Sequence, residues 1–534
     1  MTLSATSHAA ASPAKQSLSP LESEPASTEL DRILPQAVEL VKQFVRSGQD
    51  PETFVTPWPS IAALRQNVQL DLPDVAAAPR GGEATDAALL DAIRLILDNS
   101  VNPWTGRFLD KLYSAPTPVG ICADLVLSTL NANAHVMSAS PMLSLAEERC
   151  VEGLCRVFGF TETKPDGLTM PGGSSANTLA VQTALANIFP PFREQGLLGV
   201  AAYLAEKHGR TGSAARPLIF TSDQSHYSLD KAAISAGLGL SSIVKVPCDE
   251  TGRMDPEALS RLLESAVSSG SGSPFFINAT SGSTVLGSFD PIPALSALAK
   301  RYGCWLHIDG SWGGPIIFSP TEAFASQMAG SHLADSITIN PHKLLNVPLQ
   351  CSFLLVRDAA SLGANSLDAG YLFHSKDARE NAAMKTMGCG RRGDAVKLWL
   401  YWVRYGKRGL GEHVDAGLAL AQRVVDYIRT EKAETMELGP LASPLFLQVC
   451  FRPKPRPGQG RGEASIEQRS AATRHTHREL QQRRRFAVDF APLPRGIGEF
   501  VRLVVHPRTK WHDLQELIDQ VDDIGQAYWS QASV

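Results

Sequence analysis

The run CWLHIDGSWGG at residues 304–314, followed by DSITINPHKLLNVPLQCSFLLV at 335–356, decides how this chain folds. Trp305-Leu306-His307-Ile308 and Ile337-Thr338-Ile339 are short, apolar and partly β-branched, as strands buried on both faces are. Asp309 closes the first run. Lys343 follows the second, after Asn340-Pro341-His342. Working outward, strands are expected near Leu218–Thr221, Ser242–Pro247 and Pro274–Ala279, with helices between them. This alternation from 170 to 356 predicts a mostly parallel sheet covered by helices. Ligands of such sheets sit beyond the carboxyl ends of the strands, where Asp309 and Lys343 are placed.

Three further stretches fall at the same edge. Pro171-Gly172-Gly173-Ser174-Ser175 turns into the helical run ANTLAVQTALANIF. A glycine turn feeding a helix start offers free N–H groups and the positive end of the helix dipole to an anion. TSDQSHYSLDKAA places His226 just after a strand, and TSGSTVLGSFDP places Ser283 and Thr284 in a turn. Singly, each has an ordinary structural reading: an N-cap turn, a core histidine, a plain turn, a solvated lysine. Their shared position and order favour a ligand site.

These motifs resemble the pyridoxal phosphate (PLP)-dependent group II amino-acid decarboxylases, in the glutamate, cysteine-sulfinate and aspartate branch. HIDGSWGG is similar to the family's aspartate motif and NPHK to its lysine motif, and the resemblance runs from about Asn102 to Gln526. It implies an α/β fold of type I (aspartate-aminotransferase-like), with a smaller C-terminal α/β domain beside the main sheet. It implies PLP as the cofactor. It gives Lys343 the imine to the cofactor, Asp309 the ring nitrogen, and His226 a place over the ring with a role in proton transfer. Ser174, Ser175 and Asn177 fall in the phosphate cradle, with Ala176 where a family serine is common. Thr284 and His342 become further cofactor contacts. Arg502, in EFVRLVVHP, matches the arginine that grips a substrate carboxylate, for which a guanidinium suits bidentate binding. Lys111, in NPWTGRFLDKLYSAPTPVG, stands where glutamine is frequent and would add a second positive charge.

The expected reaction is α-decarboxylation of an acidic L-amino acid: aspartate to β-alanine, glutamate to GABA, or cysteine sulfinate to hypotaurine. Aspartate is slightly favoured, because Lys111 is longer than glutamine and would shorten the pocket. One departure stands out. AGYLF (369–373) and CGRRGD (389–394) match the acidic branch, but no tyrosine lies between Tyr371 and Cys389. The family's proton-donating tyrosine would fall on Glu380. Two alternatives follow from its absence: an aldehyde synthase that consumes oxygen, and a non-catalytic PLP-binding homologue.

The 534 residues are 43% hydrophobic and 19% charged with a formal net charge of -4, which offers no basic field for nucleic acid. No apolar run reaches the length of a membrane span. The eight cysteines have no metal-ligand spacing, and without a signal peptide they suggest a reducing, cytoplasmic setting and no bound metal. Residues 1–29 are expected to form a disordered tail and 30–120 an N-terminal helical segment. Residues 121–405 would form the large cofactor domain and 406–534 the small one, with a Pro/Gly/Arg linker at about 453–470. The resemblance implies a homodimer; the expected partner is a small amino-acid substrate, with neither nucleic acid nor membrane.

Overall fold

The computed structural model describes residues 25–70, 72, 83–375, 377, 380–439, 446–458 and 463–531. The chain divides into two compact units, residues 1–51 with 56–102, and residues 52–55 with 103–534. In the first unit, helices Ala26–Ser47 and Glu83–Asp98 pack together, and Arg32 Nε donates to Asp86 Oδ2 at 2.8 Å. The expected tail is therefore corrected at its end. Residues 1–24 lie outside the described residues, but a helix already begins at Ala26, with Glu29 in its first turn where the dipole favours an acid. The expected segment 30–120 is also divided, since 103–120 belong to the second unit. Leu109 is fully buried in the core of the C-terminal sheet, and its N–H donates to the Ala487 carbonyl at 2.7 Å.

The second unit is built on a seven-stranded sheet. Its strands are β1 (Asp166–Met170), β2 (Pro217–Ser222), β3 (Ile243–Val246), β4 (Ser273–Thr280), β5 (Trp305–Gly310), β6 (Ser336–Ile339) and β7 (Ser352–Val356). Their spatial order is β1-β7-β6-β5-β4-β2-β3. β7 pairs antiparallel with β1 and β6, whereas β6, β5, β4, β2 and β3 pair in parallel, so β7 alone runs against the rest. Every residue of β2, β5, β6 and β7 is buried. That is why their sequences read as unbroken runs rather than alternating ones: helices cover both faces.

A second, antiparallel sheet comprises β8 (Met436–Leu438), β9 (Gln448–Pro453), β10 (Asp489–Pro492) and β11 (Glu499–Val504), in the order β10-β11-β9-β8. Helices Ile466–Arg483 and Trp511–Gln531 pack against it. The first of these corrects the expected linker at 453–470. Ser465 Oγ accepts from Gln468 N–H while the Gln468 side chain accepts from Ser465 N–H, a reciprocal cap that starts a helix inside the basic stretch. Residues 459–462 of that linker lie outside the described residues. A long helical run, Ala395–Glu431, is broken at Gly406 (φ 64°, ψ 173°). The expected domain boundary at 405/406 falls on this break, although the compact unit continues across it. No described helix is long and apolar enough to cross a membrane.

Candidate active site

Asp309 is the fifth residue of β5, and its carboxylate is held from two sides. Asn177 Nδ2 donates to Oδ2 at 2.8 Å and the Ser311 amide to Oδ1 at 3.1 Å. Asn177 sits in the first turns of helix Gly173–Ile188, and its Oδ1 lies 3.1 Å from His307 Nε2. The other nitrogen of His307 meets Ser336 Oγ at 2.8 Å. Burial pushes His307 down to about 4, so the ring is neutral and hands one hydrogen bond to Asn177. Asp309 responds to opposed influences. Burial raises its pKa, but the Ser311 bond, the Lys343 charge and, at the acid pH where they are protonated, His226 and His307 outweigh it and leave a net fall. The carboxylate is thus ionised and immobile.

Lys343 opens a tight turn after β6, its amide donating to the Asn340 carbonyl at 3.0 Å. Burial lowers its pKa against the pull of Asp309, which increases the fraction of free amine. His226 lies against Tyr227, ring centroids 4.5 Å apart, and its Nδ1 accepts from Ser228 N–H at 3.2 Å. Burial lowers its pKa as well, so it is neutral near pH 7.

These groups face one cavity of about 260 Å³, whose lining includes Ser174, Asn177, His226, Thr284, Asp309, His342 and Lys343. Tyr227, Thr280, Ser311, Trp312 and Asn340 complete much of the wall and were not singled out from the sequence. A signal existed for His307, two residues before Asp309 on the same strand face.

Three expected contacts are placed differently. Ser175 does not line the cavity; it is half-buried, and its hydroxyl bonds back to the Pro171 carbonyl at 3.4 Å. One residue along a helix is a rotation of about 100°, which turns Ser175 away from the side that Ser174 presents to the cavity. Lys111 is half exposed, and its ammonium pairs with Asp110 at 2.8 Å and lies 3.9 Å from Asp489. Arg502 lies behind Thr284. It donates to the Thr284 carbonyl at 3.1 Å and the Asp110 carbonyl at 2.5 Å, with Asp489 at 3.5 Å. Its side chain is 9% exposed and its Nε has no partner among the described residues. His342 lines the cavity, but its Nδ1 is engaged by the main chain of Cys351.

The cavity suits a phosphorylated, ring-bearing group. Gly172 has φ +98°, and a Cβ on Gly173 would come within 2.5 Å of Ser311 Oγ and 2.7 Å of Asn340 Nδ2. Only a bare backbone leaves that space beside the helix start, with its amides free for an anion. The Oδ1 of Asn340 and the Oγ of Ser281, both buried, lack partners among the described residues. One lysine, one fixed carboxylate and an anion cradle match the aldehyde, ring nitrogen and phosphate of PLP in turn.

Sheet and site together define a fold type I pyridoxal phosphate enzyme. Comparison with known proteins narrows the class. The pyridoxal-dependent decarboxylase conserved domain matches residues 71–454, and the chain belongs to that family. An L-aspartate decarboxylase of Metarhizium robertsii is 38% identical over 475 residues, 88% of this chain and 88% of that one. The cysteine sulfinic acid decarboxylase of Rattus norvegicus is 32% identical, over 91% of this chain and 94% of its own length. The crystal structure of the mouse protein, titled CSAD, superposes with a TM-score of 0.83 at 30% identity, covering 94% of this chain and all of that one. The protein is a PLP-dependent decarboxylase.

Proposed function

We propose that the protein removes the α-carboxylate of an acidic L-amino acid, with aspartate the favoured substrate. The observation that carries this reading is Arg502: a nearly buried guanidinium whose Nε has no partner among the described residues, next to the main chain of a cavity residue. Its carboxylate neighbour, Asp489, is half-exposed and stands 3.5 Å away, which leaves the fork able to take a closer anion. Relatives named for aspartate and cysteine sulfinate support the same class. The 38% identity to an L-aspartate decarboxylase now favours aspartate. The argument from Lys111 length does not, since its ammonium is taken up by Asp110.

Bound PLP supplies an aldehyde for an amine and a ring that accepts the electron pair left when CO₂ departs. Lys343 is the amine for that aldehyde. Ser174 and the first amides of helix Gly173–Ile188 hold the phosphate. Asp309, fixed by Asn177 and Ser311, keeps the ring nitrogen protonated. His226 would cover the ring and exclude water and, once it has taken up a proton, would pass it to the substrate α-carbon. Arg502 fixes the far carboxylate and so the orientation of the bond that breaks.

The absent loop tyrosine favours a second outcome. Glu380, at the expected position, is exposed, and its main-chain carbonyl accepts from Met137 N–H at 2.8 Å. Without a proton donor there, oxygen would compete and yield aldehyde, ammonia and peroxide. The test is product analysis by mass spectrometry on the PLP-loaded enzyme, with aspartate, glutamate, cysteine sulfinate and an aromatic amino acid given separately and peroxide assayed alongside. An amine from one acidic substrate without peroxide is expected. Aldehyde with peroxide would replace this reading by the second, and turnover of the aromatic substrate alone would refute both.

The reading includes a homodimer. Leu125, Val126, Leu130, Met142, Leu145 and Val403 are 41–67% exposed on three helices that pack side by side. An apolar face of this kind is usually covered by a partner. Light scattering behind size exclusion should give twice the chain mass of 57.4 kDa; a monomer at micromolar concentration would refute it.

A further inference from the structure

Segment 109–117 runs along the Arg502 side of the site with its main chain held at intervals. Leu109 bonds through N–H to Ala487 and through its carbonyl to Val504 N–H, at 2.7 and 2.9 Å. The Asp110 carbonyl accepts from Arg502 and the Lys111 carbonyl from His506 Nε2 at 3.1 Å. These anchors come from the C-terminal sheet. The next two do not. The Ala115 carbonyl accepts from Asn346 Nδ2 at 3.0 Å, and Thr117 N–H donates to the Tyr401 hydroxyl at 2.9 Å, which in turn donates to the Asn346 carbonyl at 2.6 Å.

Both paths end on Asn346, three residues after Lys343. Its amide N–H donates to the Lys343 carbonyl at 3.2 Å and closes the lysine turn. Asn346 is 2% exposed and has φ 53°, a conformation glycine adopts without steric cost. A side chain kept at such a position has work that glycine cannot do. Both ends of its amide are committed. A carbonyl can only accept, so Nδ2 faces Ala115 and Oδ1 faces His413 Nε2 at 2.8 Å. Burial pushes His413 down to about 4 against a main-chain bond to Leu344 that raises it, so its ring is neutral, and Nε2–H is the form that suits Asn346 Oδ1.

We propose that Asn346 is a positioning residue that locks segment 110–117, and with it the carboxylate-binding end of the substrate site, to the turn carrying Lys343. The inference rests on the acidic-substrate reading above. It assigns Asn346 no contact with substrate or cofactor.

Two variants test it in the PLP-loaded enzyme. Asn346→Gly keeps the backbone conformation and removes the amide. Asn346→Asp keeps an acceptor for His413 but turns the donor to Ala115 into an acceptor. Both should raise KM for the acidic substrate by about five- to tenfold and leave kcat within about twofold. The visible cofactor absorbance and its pH titration should stay unchanged. Hydrogen exchange should quicken at amides of 110–117 but not in β5 or β6. Unchanged exchange in that segment would overturn the inference, as would a shifted cofactor spectrum with KM constant. A wild-type enzyme inert towards every acidic amino acid would refute the substrate reading instead, and exchange would still decide the role of Asn346.

Discussion

Glu147 and Arg391 form an ion pair whose side chains are only 9% and 5% exposed, and its removal should cost far more than a surface pair would. Glu147 Oε1 accepts from Arg391, from Thr169 N–H at 2.6 Å and from Thr169 Oγ1 at 2.7 Å. Arg391 also donates to the Ala134 carbonyl at 2.8 Å. The pair therefore fixes the end of β1, two residues before the Pro171 turn that leads to the cofactor cradle. In Glu147→Leu a buried guanidinium loses its counter-charge, which costs about 3–5 kcal/mol. In the double variant Glu147→Leu/Arg391→Met no charge remains, and the chief loss is the orphaned Thr169 N–H, about 1–3 kcal/mol. The double variant should therefore be more stable than Glu147→Leu alone, with a coupling of about 2 kcal/mol or more. Urea midpoints of wild type, both single variants and the double variant, compared at a common slope, measure it. Additive losses would show that the two side chains do not act as a buried pair. There is also a pH signature. Burial alone would raise the Glu147 pKa, but Arg391 and Thr169 hold it below its ordinary 4.5. A depressed folded value means the contribution is complete above the unfolded pKa and fades as pH falls through the folded one. Glu147→Gln should accordingly flatten the acid limb of stability below about pH 4.5.

Other substitutions probe the site directly. Gly173→Ala drives a Cβ to 2.5 Å from Ser311 Oγ; overpacking of about 1–3 kcal/mol should loosen the cofactor, seen as visible absorbance lost on dialysis, and full retention would contradict the cradle. Arg502→Lys keeps the charge but not the fork, so KM for the acidic substrate should rise about tenfold or more with a smaller change in kcat; an unchanged KM would remove Arg502 from substrate binding. Tyr401→Phe strands Thr117 N–H and the Asn346 carbonyl, at about 1–3 kcal/mol, and should lower the thermal midpoint; a neutral effect would mean water replaces the hydroxyl.

Local sequence patterns carried the central sheet well. β5 and β6 are short apolar runs ending in chemistry, and burial of every residue in both strands explains that reading. The glycine turn likewise marked the start of helix Gly173–Ile188, because a helix start needs only neighbouring residues. What depended on distant partners was hidden. Nothing near Lys111 announces that Asp110 takes its charge. Arg502 lies opposite Asp489 only through the register of β10 with β11. Helix Ile466–Arg483 was concealed by its polarity, with Arg, His, Gln and Glu over much of its length. Its one clear local mark was the Ser465–Gln468 spacing of a reciprocal cap. Ser175 shows the opposite error, a motif letter read as a contact when helical geometry turns it away.

The anchoring of residues 109–111 by the C-terminal part of the chain has a consequence for how the protein is made. All seven strands of the main sheet lie within residues 166–356, so that sheet can form while the rest of the chain is still being synthesised. The residues that hold Leu109, Asp110 and Lys111 are Ala487, Arg502, Val504 and His506. At ~5–20 residues per second they follow Lys343 from the ribosome after on the order of ten seconds. During that interval the nascent chain carries its lysine and acid on a formed sheet without the anchors of residues 109–111. Anchoring of that segment is then a late event, and a ribosome stalled before residue 487 would hold a formed sheet whose segment 109–111 is still untethered.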